Sequence, residues 1–321
     1  AKYLGTNHTE YYCTQKDALE IIPKLCELYD EPFGDSSAIP TTLVSALARK
    51  YVTVSLSADG GDEIFAGYSK YTTTMQYFNK FNSVPKSIKS LISLGMDRIN
   101  PKYIPILNKT YNFATRYEKI NAILKAKNSV EAMKYTSEYF TKKERDKLLK
   151  LGFDDLVTNF DIKVADTNDE INQMLAIDYK TYMVDDILTK VDRATMSVSL
   201  EGREPLLDYR LIEFVSQLPS NLKYKDGDKK WLLKQITHKY LPKEMMDRPK
   251  QGFGVPLTEW FRDELKEYFM IYLDEKRIEK EGLFNSKEIV KLRDSYLSGN
   301  KENVQKLWFL LMFEMWYEKW M

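Results

Sequence analysis

Cysteine is nearly absent from this 321-residue chain, where Cys13 and Cys26 stand alone. Two residues are too few for a disulfide framework and lack the paired spacing of a zinc site, so a reducing cytoplasm is the expected compartment. Missing too is any apolar run long enough to span a bilayer; the densest, Trp308 to Tyr317, is interrupted by Glu314. Neither sign of charge is in excess. The 48 Lys and Arg against 47 Asp and Glu leave +1, which gives no global drive toward nucleic acid or an anionic membrane. Internal repeats and low-complexity tracts are lacking, and so is an initiating methionine. The opening Ala1-Lys2-Tyr3-Leu4-Gly5 reads as the last turn of a helix closed by a glycine cap, so the chain is expected to start inside a domain whose first elements precede Ala1.

The length exceeds the usual single core, so one large domain with two lobes, or two domains, is expected. The most informative stretch is Ser57-Ala58-Asp59-Gly60-Gly61-Asp62-Glu63. It follows the β-branched run 51–56, which reads as a buried strand, and opens a helical stretch at 64–68. Gly60 and Gly61 can adopt backbone angles closed to other residues and bring main-chain N–H groups to a ligand. Asp59, Asp62 and Glu63 would repel a phosphate unless a divalent cation lies between, and Mg²⁺ prefers such oxygen ligands. A plain helix N-terminus carries the same residues, since the macrodipole favours acids and the turn favours glycine. The turn alone leaves both open.

In chain order, 8–13 is a strand candidate. Thr14 then caps a helix with Asp17 three residues on, and Ala18, Ile21, Ile22, Leu25 and Leu28 fall at helical spacing. Pro32 and Gly34 mark a loop, followed by a helix from about Thr41 to Arg49. Strands alternating with helices predict parallel βαβ units, with ligands at the carboxyl ends of the strands, where the turn sits. Residues 83–160, rich in Lys, Tyr and Asn, read as a helical insertion without chemistry, its tyrosines half-buried packing residues. Residues 168–196 form the longest periodic helix. Its charged end, Asp185 to Arg193, reads by itself as a solvated face with pairs such as Asp186 and Lys190. The stretch Ser199 to Asp208 sets more charge between apolar residues, which suggests buried pairs organising a site.

Asp226-Gly227-Asp228-Lys229-Lys230 reads as a turn running into a helix. Lysines there oppose the macrodipole, so at least one is expected to have a specific anionic partner. Lys250 sits between two prolines and near two glycines, in a loop suited to a phosphate or a lid, or simply to the surface. From Leu257 on the chain reads as helical, with Trp260, Trp308, Trp316 and Trp320 as packing residues.

Four stretches in order carry a likeness: Leu56 to Glu63 with Gly67-Tyr68, Asp186 to Ala194, Leu200 to Asp208, and Arg248 to Pro256. Together they resemble the synthetase domain of glutamine-hydrolysing asparagine synthetases from about His8 to the C-terminus. The resemblance implies an α/β, parallel-sheet ATP pyrophosphatase-type domain (adenine nucleotide alpha hydrolase-like), N-terminally truncated, with a large helical lobe. Within 1–321, 1–82 would be a partial sheet region, 83–167 a helical insertion and 168–321 a helical lobe completing the site. The implied reaction is adenylation of a carboxylate, aspartate, by ATP with release of pyrophosphate, after which ammonia displaces AMP and leaves the amide. By that likeness Asp62 would hold the Mg²⁺ on pyrophosphate, Asp59 would lie near nucleotide and acyl intermediate, and Lys230 would meet the α-phosphate. Ser57, Gly60, Gly61 and Lys250 would contact nucleotide or pyrophosphate. The implied partners are small molecules: ATP, aspartate or another carboxylate, and ammonia from a glutaminase domain absent here. Nucleic acid and membrane are not among them.

Two departures qualify the likeness. The family's Ser-Gly-Gly-x-Asp-Ser phosphate turn is nowhere in this sequence, so the chain is expected to be an inactive fragment whose exposed sheet edge pairs with another copy or aggregates. Ala58 stands where the family commonly has glycine. The wording Gly202-Arg203-Glu204-Pro205 and Phe253-Gly254-Val255-Pro256 is also similar to members accompanying surface polysaccharide synthesis, for which a sugar uronic acid would be the carboxylate. A non-catalytic scaffold of the same fold and a ring-closing synthetase complete the alternatives.

Overall fold

The first regular element begins where the sequence places its cap. Thr14 Oγ1 accepts the Asp17 N–H at 3.3 Å, and the Asp17 carboxylate accepts the Thr14 N–H at 2.8 Å, closing a capping box. This computed structural model describes residues 1–104, 113–151, 160, 168–247, 253–262 and 265–321. In chain order the elements are α1 (Gln15–Leu28), α2 (Ala38–Arg49), β1 (Val54–Leu56), α3 (Gly61–Ile64), α4 (Ser69–Asn82), α5 (Lys86–Arg98), α6 (Phe113–Lys125), α7 (Ser129–Ser137) and α8 (Lys142–Leu148). Then come α9 (Glu170–Lys180), a π-helical segment (Met183–Leu188), α10 (Thr189–Met196), β2 (Glu201–Arg203), α11 (Tyr209–Ser216), β3 (Tyr224–Lys225), β4 (Asp228–Lys229), α12 (Trp231–Thr237) and α13 (Lys243–Met246). The chain closes with α14 (Leu257–Trp260), α15 (Lys266–Tyr272), α16 (Glu275–Glu281), α17 (Ser286–Leu297) and α18 (Val304–Trp320).

The parallel pairing expected around the central turn is present on a small scale. β1 pairs with β2 in parallel, Val54 opposite Glu201, Ser55 opposite Gly202 and Leu56 opposite Arg203. The run 51–56 that ends in β1 is not buried: Tyr51 and Leu56 are 71% and 72% exposed. Among the described residues β1 has β2 as its one strand neighbour, so half its backbone edge and much of its side-chain surface face outward. Residues 8–13 form no strand and are exposed, because no described strand lies alongside to complete a ladder. At the start, Gly5 is left-handed at φ 64° and Thr6 N–H donates to Ala1 O at 3.2 Å, the six-to-one bond of a helix end.

The main core joins the two ends of the chain. Ala18, Ile22 and Leu25 of α1 belong to one buried cluster with Phe261, Phe269, Leu307, Trp308 and Leu311. Three indoles fix the contact by donating to early carbonyls: Trp308 to Gly34 at 2.9 Å, Trp316 to Asp30 at 2.9 Å and Trp320 to Cys26 at 2.8 Å. A second cluster, with Ala66, Tyr71, Met133, Met174 and Ile177, packs α4 and α7 on α9 behind the turn.

The helix expected over 168–196 is interrupted. Thr181 leaves the helical region at φ −121° and ψ −88°, and a π-helical segment follows. Along this segment and α10 the inward face runs through Met183, Ile187, Lys190, Val191 and Ala194, with Asp186 half-buried beside it. Lys190 is accordingly only 8% exposed.

Candidate active site

The turn is built by steric necessity. Gly60 is left-handed at φ 84°, and a Cβ there would meet Leu207 Cδ2 at 2.1 Å. Gly61, which opens α3, would bring a Cβ to 2.9 Å from Leu206 Cδ1. At Gly60 the left-handed backbone favours glycine whatever the space, whereas at Gly61 the neighbour is the flexible end of Leu206, in the 3₁₀ turn Pro205–Leu207 that packs beneath both. Ser57 N–H extends the strand pairing to Arg203 O at 3.0 Å. The Ser57 hydroxyl donates to the Asp59 carboxylate and accepts the Asp59 N–H at 3.3 Å, tying two predicted site residues together. Ala58 is exposed, so its methyl crowds nothing in the turn.

Asp62 meets Lys230, with Oδ2 3.0 Å from Nζ. Lys230 is not simply on a helix, as its sequence suggests. Asp226 and Gly227, at φ 51° and 89°, make the two-residue turn of the β3–β4 hairpin, and Lys230 follows it in a left-handed conformation at φ 54°. Its N–H donates to Phe65 O at 3.1 Å, which fastens the end of the hairpin to the end of α3. A strained backbone held this way at a charged residue is characteristic of functional positions. Lys229 goes elsewhere: it lies on β4 and its Nζ donates to Ser69 Oγ at 2.7 Å. Lys250 lies outside the described residues, as does most of the loop proposed around it.

Glu63, the third acid of the turn, points into the protein. It is 2% exposed and accepts the Tyr68 hydroxyl at 2.6 Å; burial raises its pKa despite that bond. It lines a cavity of about 700 Å³ with Ile64, Leu175, Tyr179 and Val215, which Asp62 and Lys230 do not line. Behind it Lys70 pairs with the fully buried Asp178 at 2.6 Å and stands 4.4 Å from the Tyr182 ring centre, while Tyr71 donates to the same carboxylate at 2.5 Å.

A second buried charge cluster flanks this one. Lys190 Nζ is 2.7 Å from Asp35, 2.8 Å from Ser37 Oγ and 3.9 Å from Asp186. Burial pushes Asp186 up to about 7, reinforced by the neighbouring Asp35 carboxylate. Burial works the same way on Asp35, but the Lys190 ammonium and the Ser37 bonds outweigh it and hold that group below its usual value. The solvated face expected at Asp186 and Lys190 is therefore a buried network. Conversely, the charges expected to be buried at 199–208 are largely outside: Glu201 and Arg203 pair at 2.7 Å with side chains 55% and 63% exposed.

Sequence reasoning missed Asp35, Ser37, Lys70, Asp178 and the Tyr68 hydroxyl. Asp35-Ser36-Ser37 reads in the sequence only as the end of a loop; Lys70 and Asp178 sit in ordinary helices and carry no local signal.

Among the described residues no group of three or more His, Cys, Asp or Glu could hold a metal ion. A protein-only metal cage does not fit this site. A single carboxylate such as Asp62 would fit a Mg²⁺ that arrives with nucleotide, since that ion keeps waters and phosphate oxygens as its other ligands.

The whole stretch 1–318 matches the asparagine synthase family. The chain is 27% identical over 324 residues to asparagine synthetase [glutamine-hydrolyzing] 1 of Bacillus subtilis, covering 99% of this chain and 48% of that protein. A putative asparagine synthetase [glutamine-hydrolyzing] of Mycobacterium tuberculosis is 27% identical over 99% of this chain and 47% of its own length. A second putative one, from Methanocaldococcus jannaschii, is 31% identical over 50% of this chain and 34% of its own length. The chain thus spans about half the length of the curated relatives it matches. With the family matched over residues 1–318, the chain belongs to the asparagine synthase family.

Proposed function

We propose that this chain carries the synthetase half of a glutamine-dependent amidation. The carboxylate oxygen of aspartate attacks the α-phosphorus of ATP, forming the acyl–phosphate bond and breaking the bond to pyrophosphate. Ammonia then adds to the acyl carbon, AMP leaves with the bonding pair, and a proton is released as asparagine forms. Ammonia would come from a glutaminase region of the kind the relatives' names denote.

The observation that carries this reading is the ion pair at 3.0 Å between Asp62, in a glycine turn at the end of a strand, and Lys230, held in a left-handed conformation. Lys230 would meet charge developing at the α-phosphate, and Asp62 would hold a Mg²⁺ that neutralises the departing pyrophosphate. Gly60 and Gly61 would let the main chain of the turn approach phosphate oxygens, with Ser57 and Asp59 shaping the rim and Lys250 contributing a further cation. A cytoplasmic setting and self-association through the exposed β1 edge belong to the same proposal.

The test is exchange of labelled pyrophosphate into ATP by the full-length protein with Mg²⁺. Exchange that depends on aspartate is the expected result. Exchange supported by a hexuronic acid and not by aspartate would move the substrate to a sugar acid, and exchange unaffected by Asp62→Asn would remove this site from the reaction.

A further inference from the structure

Lys70 and Asp178 form an ion pair that stability does not account for. Asp178 is fully buried on α9, and Lys70, in the first turn of α4, stands 2.6 Å from its Oδ2. Tyr71 donates to the same oxygen at 2.5 Å, while Oδ1 has no hydrogen-bond partner among the described residues. The surroundings are apolar: Tyr71 belongs to the buried cluster that includes Met174 and Ile177. Taking two charges out of water is repaid only when every lone pair is satisfied, and well-packed apolar residues in place of such a pair are often as stable or more so. What the pair adds is direction. Apolar contact has none and lets one helix slide on another, whereas two opposite charges favour a single register.

The register in question is that of the start of α4, and the end of the glycine turn hangs from it. Just upstream of Lys70, Gly67 N–H donates to Asp62 O at 2.8 Å and the Tyr68 hydroxyl donates to the Glu63 carboxylate at 2.6 Å. Tyr68 is itself held, its ring centre 5.2 Å from the Lys70 ammonium and 5.7 Å from the Tyr182 ring, which it meets edge-on. Between Asp62 and Gly67, Ala66 is left-handed at φ 55°, a conformation that costs energy in a residue with a Cβ and persists only where neighbours impose it. The stretch 62–67 is therefore a strained loop whose far end is tied to α9 through Lys70 and Asp178.

We propose that Lys70 and Asp178 are positioning residues for Asp62: they fix the first turn of α4 on α9 and, through Tyr68 and Glu63, set the place of α3 and of the carboxylate that would meet Mg²⁺. Neither need touch substrate. The inference rests on the assignment of Asp62 to the nucleotide site and adds to it what keeps Asp62 there.

Calorimetric titration of the full-length protein with Mg²⁺ and ATP, beside thermal melting, tests this. Replacing the pair together, Lys70→Met with Asp178→Leu, is expected to leave the thermal midpoint at or above that of wild type while weakening nucleotide binding by about tenfold or more. Tyr68→Phe removes the bond to Glu63. It should weaken binding in the wild-type background and add little in the paired variant, because both changes sever the same support. Wild-type affinity in the paired variant overturns the proposal, and so do losses that simply add with Tyr68→Phe. A paired variant that melts far below wild type, or does not fold, would make the pair a requirement of the fold and overturns it as well. Asp62→Asn separates the two levels. Unchanged binding in that variant removes the nucleotide assignment itself, whereas weakened binding there beside wild-type binding in the paired variant removes the positioning alone.

Discussion

Lys230 reaches Asp62 through a space that Gly67 leaves open: a Cβ on Gly67 would stand 1.9 Å from Asp62 Oδ1 and 2.3 Å from Lys230 Cε. The pair is therefore set by three separate constraints, namely the glycine turn before it, the missing side chain beside it and the left-handed backbone under Lys230. Each can be perturbed alone.

Gly67→Ala should separate the pair while leaving the core intact. The added methyl meets side-chain atoms, which can move, so unfolding is not expected; the cost falls on the geometry of the site. Calorimetric titration of the full-length protein with Mg²⁺ and ATP is expected to show binding weakened by about tenfold or more, with a thermal midpoint within a few degrees of wild type. Unchanged affinity would mean that the pair is not where nucleotide binds.

Lys230 and Lys229 offer an internal control, since one faces Asp62 and the other reaches Ser69. Lys230→Met keeps most of the side-chain volume and removes the charge. Single-turnover adenylation by the full-length protein should slow by ~10²–10³, the usual loss for one transition-state charge partner. Lys229→Met should be nearly silent. Equal rates for the two variants would take Lys230 out of the mechanism.

Glu314 makes a pH-dependent contribution far from the site. It is fully buried on α18 beside Glu281, and burial first, then Glu281, raises its pKa from 4.5 to about 9. A carboxyl whose folded pKa lies above its unfolded value favours the fold while it holds its proton. That contribution is complete below pH 4.5 and is lost as the pH rises through about 9. Glu314→Gln stays neutral throughout. Its thermal midpoint is expected to match wild type near pH 4.5 and to exceed it by a growing margin toward pH 9, as calorimetry or circular dichroism would record. A constant difference across that range would mean that Glu314 does not titrate there.

Local signals in the sequence were legible where the physics is local. Thr14 and Asp17 announce a capping box, Gly60 and Gly61 a sharp turn, and the lysines before α12 an anionic partner, which is Asp62. What escaped depends on neighbours distant in the chain. Lys190 looks like a surface lysine until Asp35 and Ser37 arrive beside it, and the π-helical segment before it has no distinct residue pattern. The left-handed angle of Lys230 follows from a hairpin whose two strands are two residues each, too short for any periodicity. The stretch 8–13 has the composition of a strand and lacks a described partner to make it one.

The indole of Trp320 donates to the carbonyl of Cys26 across 294 positions of sequence. A chain emerging from the ribosome at about 5–20 residues per second needs roughly 15–60 s to deliver the second partner after the first. Through that interval Ala18, Ile22 and Leu25 have no α18 to cover them, so α1 waits for a partner made about 300 residues later. Its apolar face stays without that cover for the whole interval, so the speed of synthesis sets how long the exposure lasts.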